Sequence, residues 1–122
     1  MTIYRPFESI KNTHDDFWLK QYEFNDAIIM CNIFIDSIKN DIEVLRVANE
    51  TKDFSTLKET SHRLKGSLGS LGLHQIYLDA KELEFMSNNK SEESFSYCYV
   101  FILQLENELS NALSWLKLNV NS

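Results

Sequence analysis

Apolar residues recur every three or four positions along most of the chain, which is the period of an amphipathic α-helix. Four such stripes are separated by short polar segments. The inward-facing residues of the first two stripes are Phe24, Ile28, Cys31, Ile35, Ile38, Ile42 and Leu45, then Phe54, Leu57, Ser61, Leu64, Leu68 and Leu71. Those of the other two are Leu73, Ile76, Ala80 and Leu83, then Phe95, Cys98, Ile102, Leu105, Leu109, Ala112 and Leu116. The pattern predicts four amphipathic helices.

Polar residues and one glycine indicate where these helices begin and end. Asn25 is a candidate N-cap of the first helix and Asp53 of the second, because such side chains accept hydrogen bonds from free N–H groups of the first turn. Gly72 stands where a C-terminal glycine would end the second helix. The polar segment 87–91 separates the third helix from the fourth.

Helices joined by such short connections pack as antiparallel neighbours. We therefore predict an all-α fold, an antiparallel up-and-down four-helix bundle. Ahead of it, one or two short N-terminal helices lying over the end of the bundle are predicted by Phe7, Ile10, Phe17, Trp18 and Tyr22. A length of 122 residues supports one domain over residues 1–122. Its core bundle is expected at about 24–118, the extent of the four stripes.

Composition narrows the possible partners. With 12 basic and 18 acidic residues the net charge is −6, which argues against nucleic acid as a general partner. No stretch approaches the roughly 20 uncharged apolar residues of a membrane span. Cys31 and Cys98 lie in apolar runs without metal-ligand spacing, which predicts two buried free thiols and fits a reducing compartment. We expect a cytoplasmic monomer that binds neither nucleic acid nor membrane.

The three glycines, Gly66, Gly69 and Gly72, lie close together, and the first two interrupt the second stripe. A glycine inside a helix costs about 1 kcal/mol relative to alanine. Close packing against a neighbouring helix, or simple drift, would explain them. A strip kept bare so that another molecule can approach would explain them equally well. A membrane dimer motif is excluded by the nearby Arg63 and Lys65.

His62 lies about 100° from the inward stripe of the second helix, at its exposed margin. Lys58, Lys65, Gly66 and Gly69 share its side of that helix. Because helical side chains lean toward the N-terminus, any side chain at 66 would lean over the imidazole, and glycine leaves it uncovered. An accessible imidazole beside a lysine suits a nucleophile that accepts a phosphoryl group. The alternative is an ordinary surface histidine.

The run 61–72, Ser-His-Arg-Leu-Lys-Gly-Ser-Leu-Gly-Ser-Leu-Gly, closely resembles the signature of histidine-containing phosphotransfer (HPt) domains of bacterial and fungal phosphorelays. That signature is a phosphorylatable histidine, an apolar residue, lysine, glycine, serine and a Leu-Gly pair. The pair Leu83 and Glu84 resembles a second conserved patch of the family. The core of the resemblance covers residues 54–86. Leu68 departs from it, since many members carry a small residue there, but an inward position affects packing and not chemistry.

The resemblance implies that His62 accepts a phosphoryl group from a receiver-domain aspartyl phosphate and passes it to the aspartate of another response regulator. Lys65 would stabilise the charge of the transferring group and attract an acidic receiver pocket. Gly66 and Gly69 would let the receiver approach, and Lys58 would contact it. The implied partners are the receiver domains of a hybrid histidine kinase and of a response regulator. No cofactor is implied for this chain, because the Mg²⁺ belongs to the receiver.

Glu84 is a candidate on geometric grounds as well. His62 lies ten residues before Gly72 and Glu84 twelve after it, about 15 Å and 18 Å of helix rise, so an antiparallel pair brings them level. A carboxylate there would accept a hydrogen bond from Nδ1–H of His62 and leave Nε2 free. The alternative is a solvated glutamate.

His14 and His74 are expected to be surface residues without a metal.

The sequence contains no phosphate-binding loop, hydrolase triad or kinase ATP-binding signature. We therefore expect a phosphotransfer protein that carries a covalent phosphohistidine and has no kinase activity of its own. Two alternatives stay open, a helical-bundle interaction module without phosphoryl chemistry and an HPt module of a larger hybrid sensor kinase. The Met1 start favours a stand-alone protein over the second of these.

Overall fold

The structure is a computed structural model. It describes the backbone of residues 24–120 and the side chains of residues 28–114. The described backbone forms four α-helices and contains no strand. They are α1 (Phe24–Glu50), α2 (Phe54–Ser70), α3 (His74–Asn88) and α4 (Glu93–Val120). Each helix packs against two others, α1 against α2 and α4, and α3 against the same two. This arrangement confirms the predicted all-α four-helix bundle.

The ends of α2 are set by the residues that the sequence indicated. Asp53 Oδ1 accepts a 3.1 Å hydrogen bond from the Thr56 N–H, and Oδ2 accepts one of 2.6 Å from the Thr56 hydroxyl. These bonds hold the pKa of Asp53 below its ordinary value. At the other end Gly72 adopts a φ of 74°, a left-handed conformation that favours glycine. Both predicted boundaries are confirmed.

The cap proposed for α1 is wrong. Asn25 lies inside this helix, because helical backbone extends at least to Phe24, and an N-cap lies before the first helical residue. Phe7, Ile10, Phe17, Trp18 and Tyr22, from which the N-terminal helices were predicted, lie outside the described residues. The assignment of residues 1–122 to one domain therefore stays a prediction.

Buried apolar side chains from all four helices form one core. Within the described part, the predicted inward positions are buried except Phe54, which is half-buried with its ring centroid 4.8 Å from that of Phe95. Ser61 is fully buried, and its hydroxyl donates a 2.6 Å hydrogen bond to the Leu57 carbonyl oxygen. The apolar period missed Phe101, a fully buried side chain. Burial of this extent determines which face of each helix points into the core.

The cysteines Cys31 and Cys98 are free and buried, as predicted. Burial raises the pKa of each thiol to about 12, so both stay protonated at neutral pH. A buried thiol that stays protonated is a poor nucleophile and a poor metal ligand. None of the described helices combines the length and apolar character that crossing a bilayer requires.

Candidate functional site

The α2–α3 hairpin brings His62 and Glu84 together. Nδ1 of His62 lies 2.9 Å from Oε2 of Glu84, although the two residues are 22 positions apart. The imidazole side chain is 72% exposed, whereas that of Glu84 is 23% exposed. The tight turn at Gly72 makes the two helices antiparallel, which places these residues level, as the count along the helices indicated.

The second carboxylate oxygen of Glu84 is bound as well. Nζ of Lys65 lies 3.2 Å from Oε1, so one carboxylate joins an imidazole and an ammonium. Burial acts to raise the pKa of Glu84, but the hydrogen bonds from His62 and Lys65 outweigh it and hold the pKa below its ordinary value. The sequence placed Lys65 beside His62 but did not indicate this ion pair.

The ionised state of Glu84 fixes the tautomer of His62. An ionised carboxylate only accepts hydrogen bonds, so Nδ1 must carry the proton in the 2.9 Å contact. In the neutral imidazole, Nε2 is then the basic nitrogen. The site therefore presents the lone pair of Nε2 on a ring that is open to solvent, and the ionised carboxylate of Glu84 lies at Nδ1 of the same ring.

The pKa of Glu84 gives a stability prediction. A carboxyl whose pKa is lowered on folding contributes stability that is present above its unfolded pKa and is lost as pH falls through the folded pKa. We expect the unfolding free energy of the wild type to exceed that of Glu84→Gln near neutral pH, and the difference to shrink in the acid range. Urea unfolding of both proteins across pH measures it. A difference that stays constant through the acid range would show that the pair adds no charge-dependent stability.

Close packing against a neighbouring helix was one explanation for the glycines, and the structure tests it at Gly66. A Cβ built on Gly66 would have no heavy atom within 4 Å, so no neighbouring helix requires glycine there and the packing explanation is wrong. At Gly69 a Cβ would lie 3.7 Å from Cδ2 of Tyr77 on α3, an ordinary van der Waals contact. Both glycines are exposed, and they leave a bare strip on the His62 side of α2.

Further charged side chains border the same face. Lys58 is exposed and lines an open cleft together with Glu59, His62, Arg63 and Glu84. The structure therefore brings the predicted site residues Lys58, Lys65, Gly66, Gly69 and Glu84 to one side of the α2–α3 hairpin, around His62. Arg63 was not predicted as a site residue, although it directly follows the candidate nucleophile.

Another concave surface lies away from His62. A cavity of about 620 Å³ between α3 and α4 is lined by His74, Tyr97, Phe101 and neighbouring residues, and by none of the residues around His62. His74 stacks on Tyr77 with 6.1 Å between ring centroids.

The described side chains contain no group of three or more His, Cys, Asp or Glu residues that could hold a metal ion. His14 lies outside the described residues. The open setting of His62 suits a macromolecular partner better than an enclosed small substrate.

A family model of the Hpt domain matches residues 29–115, which is more than half of the chain and includes the whole α2–α3 hairpin. The chain belongs to the Hpt domain family. Hpt domains carry out histidine phosphotransfer in the phosphorelays of two-component systems, where they interact with receiver domains. They are phosphotransfer modules and not kinases. No curated protein and no solved structure shows a significant match to this Hpt chain.

Proposed function

We propose that His62 is the phosphoacceptor of this Hpt domain and that it reacts through Nε2. The observation that carries the proposal is the 2.9 Å contact between Nδ1 and Glu84, which leaves Nε2 as the basic nitrogen of a ring that is largely exposed. The lone pair of Nε2 would attack the phosphorus of an aspartyl phosphate. The N–P bond forms as the bond from phosphorus to the acyl oxygen breaks, and the electron pair leaves with the receiver carboxylate.

Glu84 would stabilise the charge that this step creates. Phosphorylation at Nε2 while Nδ1 keeps its proton makes the ring cationic, and the carboxylate at 2.9 Å lies on the side of that charge. Lys65 keeps the carboxylate ionised through the 3.2 Å contact. An ammonium has three N–H donors, so Lys65 has donors left for the oxygens of the incoming phosphoryl group. Because neither residue loses a proton, the same site would return the phosphoryl group to a second aspartate.

The partners that we propose are receiver domains, first that of a hybrid histidine kinase and then that of a response regulator. The bare strip at Gly66 and Gly69 supports a close approach of the partner backbone. Lys58 at the edge of the site supports an acidic partner, such as a receiver pocket with its carboxylates. Any Mg²⁺ would belong to that pocket. In this scheme the chain acts as a cytoplasmic monomer between the two receivers.

Incubation with a phosphorylated receiver domain tests the function. The chain should acquire radiolabelled phosphate that is labile in acid and stable in alkali, as expected of a phosphohistidine. A second, unphosphorylated receiver should then remove the label. Failure to take up label from several receivers of the same organism would favour the alternative, an interaction module without phosphoryl chemistry.

Substitution of Glu84 tests how the nucleophile is oriented. Glu84→Ala should slow phosphoryl transfer without abolishing it, because the imidazole remains. A hydrogen bond to a charged group is worth about 1.5–3 kcal/mol, which corresponds to a rate loss of roughly ten- to hundredfold. Single-turnover transfer from a phosphorylated receiver measures the loss. Glu82→Ala removes an exposed glutamate from the same helix and serves as the matched control. Equal rates for Glu84→Ala and this control would exclude a role for the contact in transfer.

A further inference from the structure

Arg63 makes a second contact between helices directly beside His62. Its Nη2 donates to Oδ1 of Asp41 on α1 at 3.1 Å, and lies 3.4 Å from the hydroxyl of Thr60. The Asp41 side chain is 4% exposed, whereas that of Arg63 is 54% exposed. A buried carboxylate at the α1–α2 interface is therefore paired with the residue that follows the proposed phosphoacceptor.

The buried carboxylate of Asp41 depends on Arg63 as its charged partner. A buried carboxylate without a partner is strongly disfavoured, and Oδ2 of Asp41 is buried without a hydrogen-bond partner. The charge of Asp41 is therefore balanced by the guanidinium at Oδ1. Because the guanidinium must stay on that oxygen, the direction in which Arg63 leaves α2 is fixed toward α1.

The two contacts hold the same turn of α2 against two different helices. His62 binds Glu84 on α3 and Arg63 binds Asp41 on α1, and each pair is 22 residues apart in the sequence. Neighbouring helical residues point about 100° apart, so a rotation of α2 that relaxes one contact moves the other. A rotation of about 10° would displace the imidazole by roughly 1 Å, given its distance from the helix axis. A displacement of about 1 Å can cost on the order of a hundredfold in rate.

We propose that Asp41 is a positioning residue for phosphoryl transfer, and that it acts through Arg63 to fix the orientation of His62 toward Glu84. The inference rests on the proposed function of His62. Neither Asp41 nor Arg63 touches the reacting atoms. The competing explanation is that this pair only stabilises the bundle.

Two variants separate positioning from stability. Asp41→Asn keeps the shape of the side chain and an acceptor oxygen but removes the charge that holds the guanidinium. The double variant Asp41→Val, Arg63→Met replaces the whole pair with apolar side chains. Replacement of a buried ion pair in this way is often neutral or stabilising, so the double variant should unfold within a few degrees of the wild type. Should the double variant fail to fold, Asp41→Asn decides the question.

The readout is the tautomer of His62, observed by ¹⁵N NMR of the imidazole nitrogens in the full chain. The wild type should show the proton on Nδ1, and both variants should show a mixture of the two tautomers. Transfer from a phosphorylated receiver should slow roughly tenfold in each variant. Glu106→Gln is the matched control, because it breaks the 2.7 Å ion pair of Arg46 with Glu106, between α1 and α4, without involving α2. That variant should retain the wild-type tautomer and rate.

An unchanged tautomer in both variants would overturn the proposal, whatever their rates. A wild-type transfer rate in both variants would overturn it as well and leave the pair as a stabilising contact only. The tautomer does not depend on any receiver. If the wild-type protein accepts no phosphate, the proposed function fails while the NMR measurement still decides whether Asp41 orients His62.

Discussion

His62→Gln is expected to abolish phosphate acceptance while leaving the helical bundle intact. Glutamine has a size similar to that of histidine and can still donate to Glu84, so the contact between α2 and α3 is preserved. An amide nitrogen has no available lone pair, however, and does not attack phosphorus. The variant should show the helix content of the wild type by circular dichroism and no label after incubation with a phosphorylated receiver, because the nucleophile is gone.

His74→Gln is the matched control for this variant. It makes the same substitution at another exposed histidine, which begins α3 and does not line the cleft at His62, and it should accept phosphate at the wild-type rate. Label that persists on His62→Gln, at His74 or at His14, would show that another histidine is the acceptor.

At Gly66, stability and activity are expected to move in opposite directions. Because position 66 has open space around it, Gly66→Ala should stabilise the domain by up to about 1 kcal/mol through helix propensity and a less flexible unfolded chain. Gly66→Gln should fold and melt near the wild-type temperature. Both side chains lean over His62, and glutamine is long enough to hold the aspartyl phosphate away from in-line attack. We expect a rate loss on the order of a hundredfold for glutamine and a smaller loss for alanine.

Thermal unfolding and single-turnover transfer, measured on the same samples, test this pair of effects. Ser110→Gln places the same side chain on an exposed position of α4 and should change neither quantity. Unfolding of Gly66→Gln would contradict the open space that surrounds position 66. Transfer at the wild-type rate would mean that the receiver does not approach across this face.

The helical period was sufficient to predict most of the fold. Among the described side chains, the predicted inward positions are buried apart from the half-buried Phe54, because a helix that buries one face must repeat in this way. The fully buried Phe101 was missed. Asp53 and Gly72 were identified because capping and a positive φ depend on the local residue type. Asn25 was misassigned since a polar residue near a helix start is equally acceptable inside the first turn. Where the helix begins depends on the residues before it.

The site was predictable only in part. Position along α2 and the length of the hairpin were enough to place Glu84 level with His62, because both follow from helix rise. The bond from Lys65 to the other oxygen of Glu84 depends on side-chain reach across the hairpin, which sequence spacing does not determine. Asp41 gave a signal that was overlooked, since it follows Ile38 by three residues and precedes Leu45 by four, the spacing of an inward position.

The most direct test of the central claim is to locate the phosphoryl group on the histidine ring. The phosphorylated protein, labelled with ¹⁵N, can be examined by NMR experiments that correlate phosphorus with the imidazole nitrogens. The predicted result is a phosphorus coupling to Nε2 of His62, with the proton retained on Nδ1 beside Glu84. A coupling to Nδ1, or to any other residue, would contradict the assignment of Glu84 as the group that directs attack through Nε2.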